Sequence, residues 1–167
     1  MRQIYYYNKL QCNLIGIMSN LKLNSIFKTV CIASDHAGFN LKEDIKNHLV
    51  NKKVSIFDIG PYTNKSVDYP DYAKKLGNRI KLKKSDVGIL VCGSGTGMAI
   101  SANKIKTIRA AVCYNLNSTR LSRQHNNANI IALGARLTKK KLSLKLVEAF
   151  LKTKFEGGRH LRRVKKI

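Results

Sequence analysis

Between Gly88 and Gly97 the chain reads G-I-L-V-C-G-S-G-T-G, an apolar run that stops at a cysteine and turns glycine-rich. That order puts Cys92 at the carboxyl edge of a buried strand, beside backbone amides. Gly93, Gly95 and Gly97 allow a sharp bend, so that several N–H groups at a helix start can point at one anion or developing oxyanion. On its own the turn serves equally as an oxyanion or phosphate cradle and as a plain strand-to-helix connection. It is not a P-loop, since G-x-x-x-x-G-K-[ST] is absent, and its spacing departs from G-x-G-x-x-G. A thiol at the amino end of a helix, near cations, ionises more readily than a free one and can act as base or nucleophile. Cys31 and Cys113, inside apolar runs, read instead as small buried residues.

Other groups suited to chemistry sit just outside apolar runs. Asp35 and His36 follow the first such run, His125 and Asn126 precede the last, and Arg136 follows it. Arg136, Arg159, Arg162, Arg163 and His36 are the side chains that can grip a phosphate by charge-assisted, forked hydrogen bonds. Taken alone, G-G-R-H-L-R-R-V-K-K reads as a solvated basic tail, although Gly157 and Gly158 could form a turn that aims Arg159. His125 titrates near neutrality when unperturbed and suits proton transfer; a plain surface position is its alternative. His48 and His160 read as surface residues.

These residues need a scaffold, and the periodicities supply one. Strands are predicted at Lys28–Ser34, Val54–Ile59, Val87–Cys92, Ile108–Cys113 and Asn129–Gly134. Helices are predicted at Phe39–Val50, with Leu41, Ile45 and Leu49 on one face, and from near Pro70, with Ala73, Leu76 and Ile80 inward. Further helices fall at Thr96–Asn103, Ser118–Asn126 and Leu142–Leu151, the last with Leu142, Leu146, Val147 and Phe150 aligned. Nearly all-apolar strands alternating with helices indicate a parallel sheet covered on both sides, a single doubly wound, Rossmann-like α/β domain of about five strands. In such sheets ligands bind beyond the carboxyl ends of the strands, which is where Asp35, His36 and Cys92 to Gly97 fall.

With 167 residues, 44% of them hydrophobic, the chain has the size of one domain, assigned to residues 28–167. Residues 1–27 lack a signal-peptide h-region and read as a disordered extension or a misassigned start, Met18 being a natural alternative first residue. No apolar stretch approaches the roughly 20 residues of a membrane span. The four cysteines, Cys12, Cys31, Cys92 and Cys113, have no metal-ligand spacing, so no metal is expected, and buried thiols in a reducing cytoplasm suit them better than disulfides. A net charge of +23 raises nucleic acid as a partner. The charge is mostly lysine on polar helix faces, however, and no zinc-finger spacing, RNP-like aromatic pattern or helix-turn-helix cue accompanies it; only nonspecific polyanion binding at low salt is expected.

Five segments together resemble the type B ribose-5-phosphate isomerases, in that family's order and over about residues 28–164. They are S-D-H-A-G-F-x-L-K at 34–42, V-D-Y-P-D-Y-A at 67–73, I-L-V-C-G-S-G-T-G at 89–97, S-R-Q-H-N-N-A-N at 122–129 and E-G-G-R-H-x-x-R-V at 156–164. The resemblance implies aldose–ketose isomerisation of ribose 5-phosphate through an enediolate, with no cofactor. It implies Cys92 as the base between C1 and C2, and the amides of Gly93, Gly95, Thr96 and Gly97 around the enediolate oxygen, with Ser94 touching the substrate chain. Asp35 and His125 become the ring-opening pair, Asn126 orients a substrate oxygen, and Tyr69 lines the pocket. His36, Arg136, Arg159 and Arg163 match the phosphate ligands. A cytoplasmic homodimer, alone or as a dimer of dimers, with each pocket completed across the interface, is implied as well. Ser94 departs from the frequent Thr but keeps the hydroxyl.

Three other readings compete. A galactose-6-phosphate isomerase subunit, or an enzyme for a six-carbon sugar phosphate such as allose 6-phosphate, fits the same motifs. The presence of Cys92, His125 and the arginines on one chain favours a self-sufficient ribose-phosphate enzyme. A basic nucleic-acid module would not need Cys92. A dehydrogenase half would carry its glycine turn after the first strand.

Overall fold

The computed structural model describes residues 22–167. Runs rich in β-branched and small apolar residues form five strands, β1 (Thr29–Ser34), β2 (Ser55–Gly60), β3 (Val87–Cys92), β4 (Ala110–Val112) and β5 (Ile130–Gly134). All pair in parallel in the order β2-β1-β3-β5-β4. Helices connect them: α1 (Phe39–Asn51), α2 (Tyr69–Lys81), α3 (Thr96–Asn103), α4 (Leu116–Gln124) and α5 (Lys140–Lys152), followed by α6 (Gly158–Val164). This is the doubly wound, Rossmann-like sheet predicted from the apolar pattern. Among the described residues no helix is long and apolar enough to cross a membrane.

Successive strand side chains point to opposite faces, which divides the core in two. Val30, Ile32, Val87, Ile89, Val91, Ile131 and Leu133 meet Leu41, Ile45 and Leu49 of α1 and Leu146, Val147 and Phe150 of α5. Cys31, Ala33, Leu90, Cys92, Ile130 and Ala132 meet Ala73, Leu76 and Ile80 of α2 and Met98, Ala99 and Ala102 of α3. The period of two therefore fixes the side on which Cys92 emerges, toward the amino ends of α2 and α3.

The structure differs from the sequence reading at three places. Residues 153–164, read as a tail, hold α6, whose His160 is buried and not a surface group. The predicted fourth strand, 108–113, shrinks to Ala110–Val112, because Ile108 closes the preceding turn by donating its amide to Ile105. Residues 22–27, grouped with the extension, lie on the body: Leu23 is buried, the Leu23 and Ile26 amides donate to the Lys52 and Leu151 carbonyls, and the Arg123 guanidinium stacks on Phe27. The rest of the expectation for the extension, residues 1–21, lies outside the described residues.

Candidate active site

β1 and β3 are neighbours, but the chain leaves β1 toward β2 and returns past it to β3, which opens a crevice beyond their carboxyl ends. A cleft of about 370 Å³ occupies it, lined by Asp35, His36, Ala37, Tyr69, Cys92, Gly93, Ser94, Gly97, Arg136 and Leu137. Six of the residues singled out for substrate chemistry in the sequence, Asp35, Tyr69, Cys92, Gly93, Ser94 and Gly97, thus converge here with His36 and Arg136 from the phosphate set.

Cys92 ends β3 and is 4% exposed. The turn after it curls so that the Gly95 N–H donates to Cys92 Sγ at 3.0 Å. Gly95 makes this possible with a left-handed backbone, φ +82°, and with room for no side chain: a Cβ would lie 3.0 Å from the Leu133 carbonyl carbon and 3.2 Å from the Gly134 nitrogen of β5. Gly134 reciprocates, since a Cβ there would sit 2.7 Å from the Ser94 oxygen. The turn is pinned to β5 by Ala135 N–H donating to the Cys92 carbonyl at 2.8 Å and Arg136 N–H to the Gly93 carbonyl at 3.0 Å. An amide already aimed at sulfur, at the amino end of α3, is the preorganised donor that a thiolate or a nearby oxyanion requires. Thr96 N–H faces the Ser94 hydroxyl at 3.3 Å, and Thr96 itself is exposed at the start of α3.

Asp35 is buried just past β1, its amide held by the Val91 carbonyl at 3.1 Å, and its Oδ1 accepts from the Gly38 N–H at 2.8 Å. His36 is exposed at the rim, with Nδ1 3.4 Å from the Val67 amide. Tyr69 opens α2 and lays its ring on Gly97, where a Cβ would come within 2.9 Å of it. The Arg136 side chain passes over Gly93, at a distance of 3.4 Å from where a Cβ would be. Base candidate, amide turn and two phosphate candidates, His36 and Arg136, therefore share one hollow.

His125, Asn126, Arg159 and Arg163 do not line it. The reason is topological. α4 descends from the carboxyl edge of β4, and His125 sits at its far end, before β5 begins. Five residues of β5 span about 16 Å and nine of α4 about 14 Å, so His125 lies at the opposite edge of the sheet from Cys92. α5 descends in the same way and carries α6 to that edge, where the Glu156 amide donates to the Gln124 carbonyl at 3.1 Å. A ring-opening pair of Asp35 with His125, and a phosphate grip joining Arg136 to Arg159 and Arg163, are not assembled in the cleft of this chain.

At that edge the rings of His125 and His160 are stacked, centroids 4.1 Å apart and planes within 5°. Glu156 Oε2 lies 3.8 Å from Nε2 of each. His160 and Glu156 escaped the sequence reading, and the available signal was their i,i+4 spacing across the start of α6. Burial against the His125 ring, then the charges of His125 and Arg159, hold the His160 imidazole below its ordinary range. Elsewhere, burial pushes the Cys31 thiol up to about 12, which makes it inert, and the Cys113 thiol is raised for the same reason.

A family model described as Ribose/Galactose Isomerase matches residues 30–167. A putative sugar phosphate isomerase of Rickettsia bellii is 46% identical over 138 residues, which are 83% of this chain and 96% of the relative. The crystal structure of a ribose 5-phosphate isomerase from Thermotoga maritima superposes with a TM-score of 0.81 at 51% identity, covering 83% of this chain and 95% of that one. That of Mycoplasma genitalium ribose-5-phosphate isomerase B with bound ribulose-5-phosphate gives 0.79 at 42% identity, covering 83% and 92%. This chain belongs to the ribose/galactose isomerase family, beside the type B ribose-5-phosphate isomerases.

Proposed function

We propose that this protein interconverts ribose 5-phosphate and ribulose 5-phosphate, with Cys92 as the base. The observation that carries the reading is the Gly95 amide aimed at Cys92 Sγ in a cleft shared with Asp35, His36 and Arg136. In the forward direction the cyclic aldose opens as Asp35 takes the O1 proton and His125 gives one to the ring oxygen. The thiolate of Cys92 then removes the C2 proton, leaving an enediolate whose oxygen faces the amides of the Gly93–Gly97 turn. The same proton returns to C1 while another passes from O2 to O1, and the ketose results. Each amide placed on the developing oxyanion lowers the barrier by about 3 kcal/mol. Phosphate held by His36 and Arg136, remote from the reacting carbons, supplies binding energy that orients them.

The site is completed by a second copy of the chain. His125, Asn126, Arg159 and Arg163 face away from the cleft of their own subunit, and Tyr69, Tyr114 and Leu137 leave apolar surface exposed around its rim. A two-fold homodimer that places one subunit's His125 edge on the other's cleft forms two sites at once. Sugar phosphates do not cross membranes unaided, so the enzyme acts in the cytoplasm where they are made.

The test uses two variants. Cys92→Ala and His125→Ala are each expected to lose activity on ribose 5-phosphate, with allose 6-phosphate and galactose 6-phosphate as comparison substrates. Mixed after dissociation and reassociation, they regain about one quarter of wild-type activity, because half the dimers are mixed and each holds one intact site. No recovery in verified mixed dimers refutes the shared site. Wild-type protein inactive on ribose 5-phosphate refutes the activity.

A further inference from the structure

The His125–Glu156–His160 cluster lies outside the cleft, and its ligand atoms fall within 4.8 Å of one another. Two histidines and a carboxylate invite a metal reading, but the ring geometry opposes it. An ion bound by imidazole lies in the ring plane, along the nitrogen lone pair. Rings stacked 4.1 Å apart and parallel within 5° have no common in-plane point at bonding distance from both nitrogens. Holding an ion would require one ring to abandon the stack.

The same geometry has another use. His160 is buried, and its flat face fixes the plane of the half-buried His125 ring. Arg159 Nε lies 3.5 Å from His160 Nε2 as a donor, which makes that nitrogen an acceptor and puts the His160 proton on Nδ1. Glu156 Oε2 lies 3.8 Å from Nε2 of both rings and faces the edge they share. The other charges facing the pair are Arg159 and Arg163 of α6, with Arg109 one residue away, its Nε donating to the Asn126 carbonyl at 3.1 Å. All three are cations, and Glu156 sets one negative charge among them.

We propose that His160 is a positioning residue for His125, holding the plane of its ring through the stack, with Glu156 facing the edge that both rings share. The inference rests on His125 as the ring-opening acid.

The test combines side-chain NMR with steady-state kinetics on the intact protein. The chain has only four histidines, so the His125 resonance is assigned by its loss in His125→Ala. In His160→Ala the His125 ring protons are expected to shift downfield as the ring current of the stacked neighbour is lost. In His160→Ala, kcat on ribose 5-phosphate is expected to drop about tenfold with KM little changed, and His160→Phe, which keeps a stacking face without a titrating group, restores most of it. Unmoved His125 ring resonances, or kcat within twofold of wild type, in a folded His160→Ala overturns the proposal. If the wild-type protein does not isomerise ribose 5-phosphate, the functional reading fails by itself, and the His125 ring resonances still decide whether the stack holds that ring.

Discussion

Replacing Gly95 by alanine strikes the turn at its tightest point. An alanine held at φ +82° costs about 1–2 kcal/mol in backbone strain. Its Cβ also meets backbone of β5, at 3.0 and 3.2 Å, where Leu133 and Gly134 are locked in register with Val91 and Cys92. β5 is an interior strand and does not yield, so the turn must move instead. Strain and collision together are expected to destabilise the protein by about 2–4 kcal/mol. Movement withdraws the Gly95 amide from Cys92 Sγ, and loss of one preorganised donor costs about 10²–10³ in kcat. Denaturant unfolding measures the first effect, and initial rates on ribose 5-phosphate the second. Gly158→Ala is the comparison for stability, since Gly158 also has a positive φ, +49°, but no atom lies within 4 Å of its Cβ position. It is expected to cost only the strain. A Gly95→Ala protein as stable as Gly158→Ala, with kcat within threefold of wild type, refutes the account of the turn as a rigid donor.

Four further outcomes are expected. Lys42, fully buried, bonds both Asp58 oxygens at 3.0 and 2.9 Å, so Asp58→Ala strands a buried ammonium with Glu43 as its remaining acid; a loss of about 3 kcal/mol, or roughly 6–12 °C in Tm, is expected. Lys42→Met, which leaves Asp58 paired to Lys46 at 2.9 Å, should cost clearly less in the same thermal melts. Burial raises the Asp58 carboxyl, but hydrogen bonds from Lys46, Lys42 and the Gly60 amide prevail and hold it below its ordinary 3.8. Because a depressed carboxylate stabilises the fold above the unfolded value and loses that contribution as pH falls through the folded one, melts should drop below about pH 4, less so in Asp58→Asn. Arg136→Lys keeps the charge and loses the forked grip, so KM for the sugar phosphate should rise about tenfold or more with little change in Tm.

Most of the scaffold was legible because the sheet is buried on both faces. Strands such as V-G-I-L-V-C declare themselves as unbroken apolar runs, and α1 and α2 by inward residues at helical spacing. The cleft was legible for a related reason: in a parallel sheet, the residues immediately after strands are forced to one edge, so Asp35 and Cys92 had to meet. α6 was not, since G-R-H-L-R-R-V buries only His160 fully and carries no apolar stripe. The burial of His160 depends on α5 delivering it to the end of α4, a tertiary fact with no local trace. The placement of His125 was visible in principle, because counting strands and helices assigns it to the opposite edge from Cys92. Motif matching passes over that count and groups residues by chemistry alone.

The two edges of the sheet have a bearing on heredity and dosage. If neither edge works without the other, a lone subunit has folded chemistry but no turnover, and specific activity must fall on dilution. In such a dimer a defective copy would not fail privately. Paired with a sound neighbour, a chain lacking Cys92 still lends its His125 edge, whereas a chain that has lost both assets disables every hollow it helps to build. Damage confined to one edge is therefore recessive within a mixed pair, and damage to both is dominant.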